Sequence, residues 1–213
     1  MNMNKWIFLA LLVSGSVCGK ERVELVPFGD FEHWTGQQIK ESALIGGKTK
    51  TLYKIGGPWS SSNAHARALG VDKVSVSVTP EKRGDGTCCR MESTLEVVKA
   101  LGIDFKALAT GSIYTGKLQE IVGMKQSSDP NSAIDMGMPF TGRPSALILD
   151  YKALIRNNPA VYAPARTKVR EVEGRDHGHI TLILQISAGS MLPFTGCPGN
   201  VVWCDNIRLA YEK

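Results

Sequence analysis

Three carboxylates at the two ends of the chain have the residue types and spacing to share a hard cation. Asp30 and Glu32 stand two apart in Gly29-Asp30-Phe31-Glu32-His33-Trp34, and Asp205 stands in Trp203-Cys204-Asp205-Asn206-Ile207-Arg208-Leu209. Residues i and i+2 of a strand share a face, so Asp30 and Glu32 can offer oxygens to one ion. Calcium takes about six to eight oxygens, so backbone carbonyls would have to complete its shell. The competing reading has these acids capping turns or pairing with Arg208 and Lys213. Apolar alternation flanks both motifs, and the two ends are expected to meet and close a sheet.

Other groupings point to less specific chemistry. Cleavage of a glycosidic bond needs two carboxylates about 5 Å or about 6.5–9.5 Å apart, one with a raised pKa. Glu92, Glu120 and Asp150 are candidates on expected strands, and only the fold could pair them. Asp176-His177-Gly178-His179 could hold a transition metal through histidines at i and i+2, although a turn explains the same residues. No Gly-x-Ser-x-Gly elbow is present. Beyond Cys18 the cysteines are Cys88, Cys89, Cys197 and Cys204. Cys197 and Cys204 are spaced to staple the loop entering the last strand; the alternative is that all four are small buried hydrophobes. None has the company that a zinc site requires.

The elements that would position these groups begin after a leader. Lys5 is followed by an apolar run of eight residues, 6–13, and then by Ser14, Gly15 and Ser16, the pattern of a secretory signal over residues 1–19. The run is far shorter than the roughly 20 residues of a spanning helix, so no permanent transmembrane anchor is expected. Cys18 is placed to become the lipidated first residue of a lipoprotein, and cleavage after Gly19 is the competing outcome. An extracytoplasmic protein is expected, secreted, periplasmic or at the outer membrane or cell surface. Its only contact with a membrane would be that lipid. About 195 residues then remain, 20–213 being read as one domain. Lys5 is the only charge in the leader, so a net charge of +5 becomes +4. Basic residues are dispersed, which argues against nucleic-acid binding.

Period-two alternation and Gly/Pro punctuation predict strands at residues 51–55, 71–79, 87–93, 107–114, 116–122, 145–151, 180–187 and 200–211. One short helix is predicted at residues 95–101, ended by Gly102. The fold class is therefore all-β: a two-sheet antiparallel jelly-roll sandwich with one short helix. Long loops at residues 56–69, 125–139, 157–176 and 189–199 are where ligand contacts are expected.

Gly111-Ser112-Ile113-Tyr114-Thr115-Gly116-Lys117-Leu118, Met138-Pro139-Phe140-Thr141-Gly142-Arg143-Pro144-Ser145-Ala146-Leu147 and Asp150-Tyr151-Lys152 together resemble the signature of the putative carbohydrate metabolism domain (PCMD) of exported Bacteroidota proteins. Gly57-Pro58-Trp59-Ser60-Ser61-Ser62-Asn63 resembles that family's Trp-x-Thr-x-Asn loop, and the acidic end motifs are also similar to those of galactose-binding-like carbohydrate-binding modules. The basic stretch 153–175 departs from the family pattern.

The resemblance implies a carbohydrate partner and, near the chain ends, a structural calcium on Asp30, Glu32 and Asp205. Sugar binding calls for aromatic faces and bridging polar groups. Trp59, in a loop outside any apolar run, is the expected platform, with Asn63, Tyr114, Lys117 and Arg143 as polar partners. Trp59 as a structural plug and Arg143 as a turn tie are the competing readings. The leading expectation is a non-catalytic exported carbohydrate-binding protein for glycan capture or utilisation. The alternatives are a glycoside hydrolase and a cell-surface adhesion or assembly domain.

Overall fold

The computed structural model describes residues 7–8, 22–68, 71–100, 103–118, 134–156, 180–189 and 197–211. In chain order the strands are β1 (Ile7–Phe8), β2 (Arg22–Leu25), β3 (Trp34–Lys40), β4 (Thr49–Ile55), β5 (Trp59–Ser61), β6 (Ala64–Ala68), β7 (Val71–Ser75), β8 (Val78–Arg83) and β9 (Gly86–Glu92). They continue with β10 (Thr94–Ala100), β11 (Ile103–Ala109), β12 (Ser112–Leu118), β13 (Ile134–Met136), β14 (Met138–Phe140), β15 (Ala146–Leu154), β16 (Ile180–Leu182), β17 (Gln185–Ser187) and β18 (Val201–Tyr211). A 3-10 turn at Ala43–Ile45 lies between β3 and β4.

The fold is all-β, and every strand pairing described is antiparallel. The largest sheet runs β15-β18-β9-β8 with β2 also on β18, and β1, which lies inside the leader expected over residues 1–19, ladders on the free edge of β15; a second has the order β13-β12-β17 with β5 also on β12. The remaining strands form the pairs β3-β4, β6-β7, β10-β11 and β14-β16. Both larger sheets feed one core: Val78, Cys89, Met91, Val202, Cys204 and Leu209 from the first pack with Trp59, Ile113 and Ile186 from the second. Burying these side chains, each worth about 1.5–3 kcal/mol for a residue of valine size or larger, is what holds the layers together.

The expected helix at residues 95–101 is strand β10, paired with β11 at every position from Thr94↔Ala109 to Ala100↔Ile103. Val97 and Val98 favour an extended backbone, and ladder pairing with β11 overrides a helical spacing too short to stabilise itself. Its Glu96 is tied to Lys73 at 2.7 Å on a neighbouring strand.

Three predicted strands are each divided in two by a local cause. The run 71–79 breaks because Asn63 Oδ1 accepts the N–H groups of both Ser77 and Val78, each at 2.9 Å, which takes them out of the ladder. The run 107–114 breaks at Gly111, where a Cβ would lie 2.4 Å from the Glu92 nitrogen and 2.6 Å from the Ser77 oxygen. The run 180–187 breaks where Thr115 accepts the Leu184 N–H at 3.0 Å and donates its hydroxyl to Leu182 O at 3.0 Å.

The ends of the domain meet. Val26 N–H donates to Ile207 O at 2.8 Å, and Ile207 N–H donates to Gly29 O at 2.9 Å. Phe31, buried completely at a φ of 50°, anchors this turn in the core by packing on Trp59 with ring centroids 5.5 Å apart. Asn206, at a φ of 51°, sits in a bulge of β18, between the pairs Asp150↔Asp205 and Ile148↔Arg208.

Candidate functional site

The acidic ends form a clasp built around an arginine. Asp150 and Asp205 face each other across β15 and β18, where two like charges repel. Arg83, at the end of β8, bridges them: Nη1 lies 2.6 Å from Asp205 Oδ2 and Nη2 lies 2.9 Å from Asp150 Oδ2. The bulge aims Asn206 Nδ2 at Asp150 Oδ2 at 3.1 Å, and Asn206 N–H donates to Asp205 Oδ1 at 2.8 Å. Burial pushes the Asp205 carboxyl above its usual range, with the Arg83 and Asn206 donors pulling the other way. Burial likewise carries the neighbouring Cys88 thiol up to about 12.

In this geometry the three expected calcium ligands have separate surroundings, and backbone carbonyls would have to supply most of a calcium shell. Among the described residues no three His, Cys, Asp or Glu side chains gather as a metal-holding group. Asp205 is committed to Arg83, and Glu32 Oε1 accepts the Thr87 N–H at 2.9 Å. Asp30 Oδ1 is buried without a hydrogen bond. The positive charge beside Asp205 is the Arg83 guanidinium. Nor is the facing pair laid out for hydrolysis, because Asp150 and Asp205 are buried against Arg83, with Arg208 also 3.6 Å from Asp150, and neither borders the cavity described below. Glu92 is paired with Arg90 at 2.7 Å.

The expected Cys197–Cys204 staple is replaced by another arrangement. No disulfide links Cys88, Cys89, Cys197 or Cys204 in this structure. Cys197 sits in a turn closed by Asn200 N–H to Cys197 O at 3.2 Å, and β18 begins at Val201. Strand rise carries Cys204 about 10 Å further along the sheet, directly opposite Cys89 of β9.

A cavity of about 400 Å³ opens where β4, β5 and β12 approach one another. Its lining residues are Leu52, Tyr53, Lys54 and Ile55 of β4, Trp59, Ser60 and Ser61 of β5, Asn63, and Lys117 of β12. Among the described residues β4 ladders only with β3.

Three of the five expected ligand residues, Trp59, Asn63 and Lys117, do converge here, two of them in a structural role. Trp59 is only 4% exposed, because the turn at Gly57 folds its ring inward and Nε1 donates to Pro27 O at 2.9 Å. That turn requires glycine: Gly57 has a φ of 67°, and a Cβ there would run into the Phe28 ring. Asn63 gives both amide hydrogens to Tyr53 O (3.0 Å) and Val78 O (2.7 Å), while its oxygen takes the two N–H groups named above. Lys117 is exposed at the rim. Tyr114 is buried behind Ser60, its strand partner, and burial raises its pKa. Arg143 is exposed on the connection from β14 to β15, away from the lining.

The sequence reading missed Tyr53, Lys54, Ser60 and Ser61. Tyr53 is half-buried, meets the Trp34 edge at 6.4 Å and has Gly36 as its cross-strand partner. The available signal was a tyrosine beside a lysine on a strand, ambiguous until the glycine opposite is known. Glu120, Cys18 and the 176–179 run lie outside the described residues.

Fold and cavity together define an antiparallel β protein with a small, lysine-rimmed pocket between sheets. Over residues 30–188 the chain matches the family described as Putative carbohydrate metabolism domain (PCMD), and it belongs to that family. No curated protein and no solved structure matches the chain. The matched span encloses the whole cavity lining, whereas β18 and Asp205 fall beyond it.

Proposed function

We propose that this is an exported, non-catalytic carbohydrate-binding protein that seats its saccharide in the cavity between β4, β5 and β12. The observation that carries this reading is the cavity itself: about 400 Å³, within the roughly 300–1,000 Å³ range of small-ligand sites, with an aromatic ring, hydroxyls and amines at one opening. Membership of a carbohydrate-related family supports the ligand class. The signal-like residues 1–19, with Cys18 as the lipid acceptor, support export and tethering. No described helix is long and apolar enough to cross a membrane.

Affinity electrophoresis against a polysaccharide panel tests it. Retention should be lost in Tyr53→Ala with melting temperature little changed. If no polysaccharide retards the protein, or if retention survives Tyr53→Ala together with Lys117→Gln, the cavity is not the binding site.

A further inference from the structure

We infer that the cavity selects acidic saccharides, carrying a carboxylate or sulfate ester, over neutral ones. This rests on the binding role proposed above and follows from the polar groups the lining leaves unspent. Asn63 uses all of its amide capacity internally, through four hydrogen bonds. Ser60 gives its hydroxyl hydrogen to Gly116 O at 2.7 Å. Ser61 Oγ accepts the Asn63 N–H at 3.3 Å and keeps its own hydrogen to donate.

The lining residues whose side-chain polar groups are not spent on internal partners are Ser61, Tyr53, Lys54 and Lys117. Neither lysine has an ion pair with a described residue, and no carboxylate lines the cavity. Such a site is rich in donors and poor in side-chain acceptors. Neutral sugar hydroxyls both donate and accept, whereas an ionised carboxylate or sulfate only accepts and forms stronger, charge-assisted bonds with ammonium groups.

The test is affinity electrophoresis of the full chain in polygalacturonate, a sulfated galactan and a neutral galactan, at low and high salt. One or both acidic polymers should be retained, and which one names the anion. Retention should weaken with salt, and Lys54→Gln and Lys117→Gln should each cost about tenfold in affinity. Lys82→Gln, exposed on β8 and outside the lining, should cost nothing. Equal retention in neutral galactan, unaffected by Lys54→Gln and Lys117→Gln, would overturn the charge selection and leave the cavity reading standing. Retention by no polymer overturns both, and an equal loss in Lys82→Gln overturns the selection in favour of general polyanion attraction.

Independently, the geometry points to a disulfide between Cys89 and Cys204. They are direct cross-strand partners on β9 and β18, both fully buried in the same core cluster. Facing antiparallel residues have Cα atoms about 4.5–5.5 Å apart, within the span a disulfide bridges. Cys88, next along the strand, points to the other face. Two thiols would lose two protons and two electrons as the S–S bond forms, while a disulfide donor such as oxidised glutathione is reduced to two thiols. Burial and contact with Cys89 hold the Cys204 thiol protonated once the sheet is closed, so the exchange belongs to folding. Refolding reduced chain with oxidised glutathione should give one disulfide, mapped by mass spectrometry to the peptides holding Cys89 and Cys204 and absent from Cys204→Ser. A link involving any other cysteine, or no disulfide after refolding, would overturn it.

Discussion

The Arg83 clasp and the β4–β5–β12 cavity handle charge in opposite ways. At the clasp two facing carboxylates share a guanidinium within a mostly buried network, and an asparagine in a bulge supplies further donors. At the cavity two lysines stand without a carboxylate in the lining. The first arrangement balances its charges within the chain; the second leaves charge for something outside it. Acidic residues drew attention to the ends of this molecule, yet it is the unbalanced amines in the middle that suit ligand binding.

Substitutions can break this contrast. Trp59→Ala should destabilise by about 3–5 kcal/mol by emptying the core beneath the cavity, so any loss of binding should accompany a fall in the chemical-denaturation midpoint. Arg83→Met should cost about 3 kcal/mol, because Asp205 loses its ion-pair partner and Asp150 keeps only Arg208, at 3.6 Å. Adding Asp150→Asn and Asp205→Asn should restore much of it, and a triple variant no more stable than Arg83→Met would show that the clasp is not electrostatic. Asn63→Ala should cost about 2 kcal/mol through the unpaired Ser77 and Val78 N–H groups, read by thermal melting and by faster amide exchange at those residues. Lys117→Gln should shift stability by less than about 0.5 kcal/mol while weakening saccharide binding. A stability loss as large as that of Asn63→Ala would erase the distinction between the two regions.

Strands were legible where alternation runs unbroken, as at Thr49–Ile55, Gly86–Glu92 and Val201–Tyr211. Misreadings arose where a side chain captures backbone groups, because Asn63 and Thr115 interrupt strands that hydrophobic pattern alone continues. The β10 segment was misread for a related reason: its partner β11, not its own spacing, decides its conformation. At the site, Lys117 was legible as an exposed polar residue. Trp59 was legible as either a platform or a plug, and it is Gly57 and the Pro27 carbonyl that turn the ring inward. Asp205 was recognisable as an important acid, but its counter-ion Arg83 lies 122 positions upstream in a hairpin. No local spacing rule reaches that far.

The position of β18 bears on how the chain reaches this state. It pairs with β2, β9 and β15, all of which come earlier in the sequence. During synthesis those strands must wait, their ladder edges unmatched, until residues 201–211 arrive. Closure of the largest sheet is therefore a late, long-range event of the slow-folding kind, and the interval before it is when the molecule is most open to edge-to-edge association with another copy.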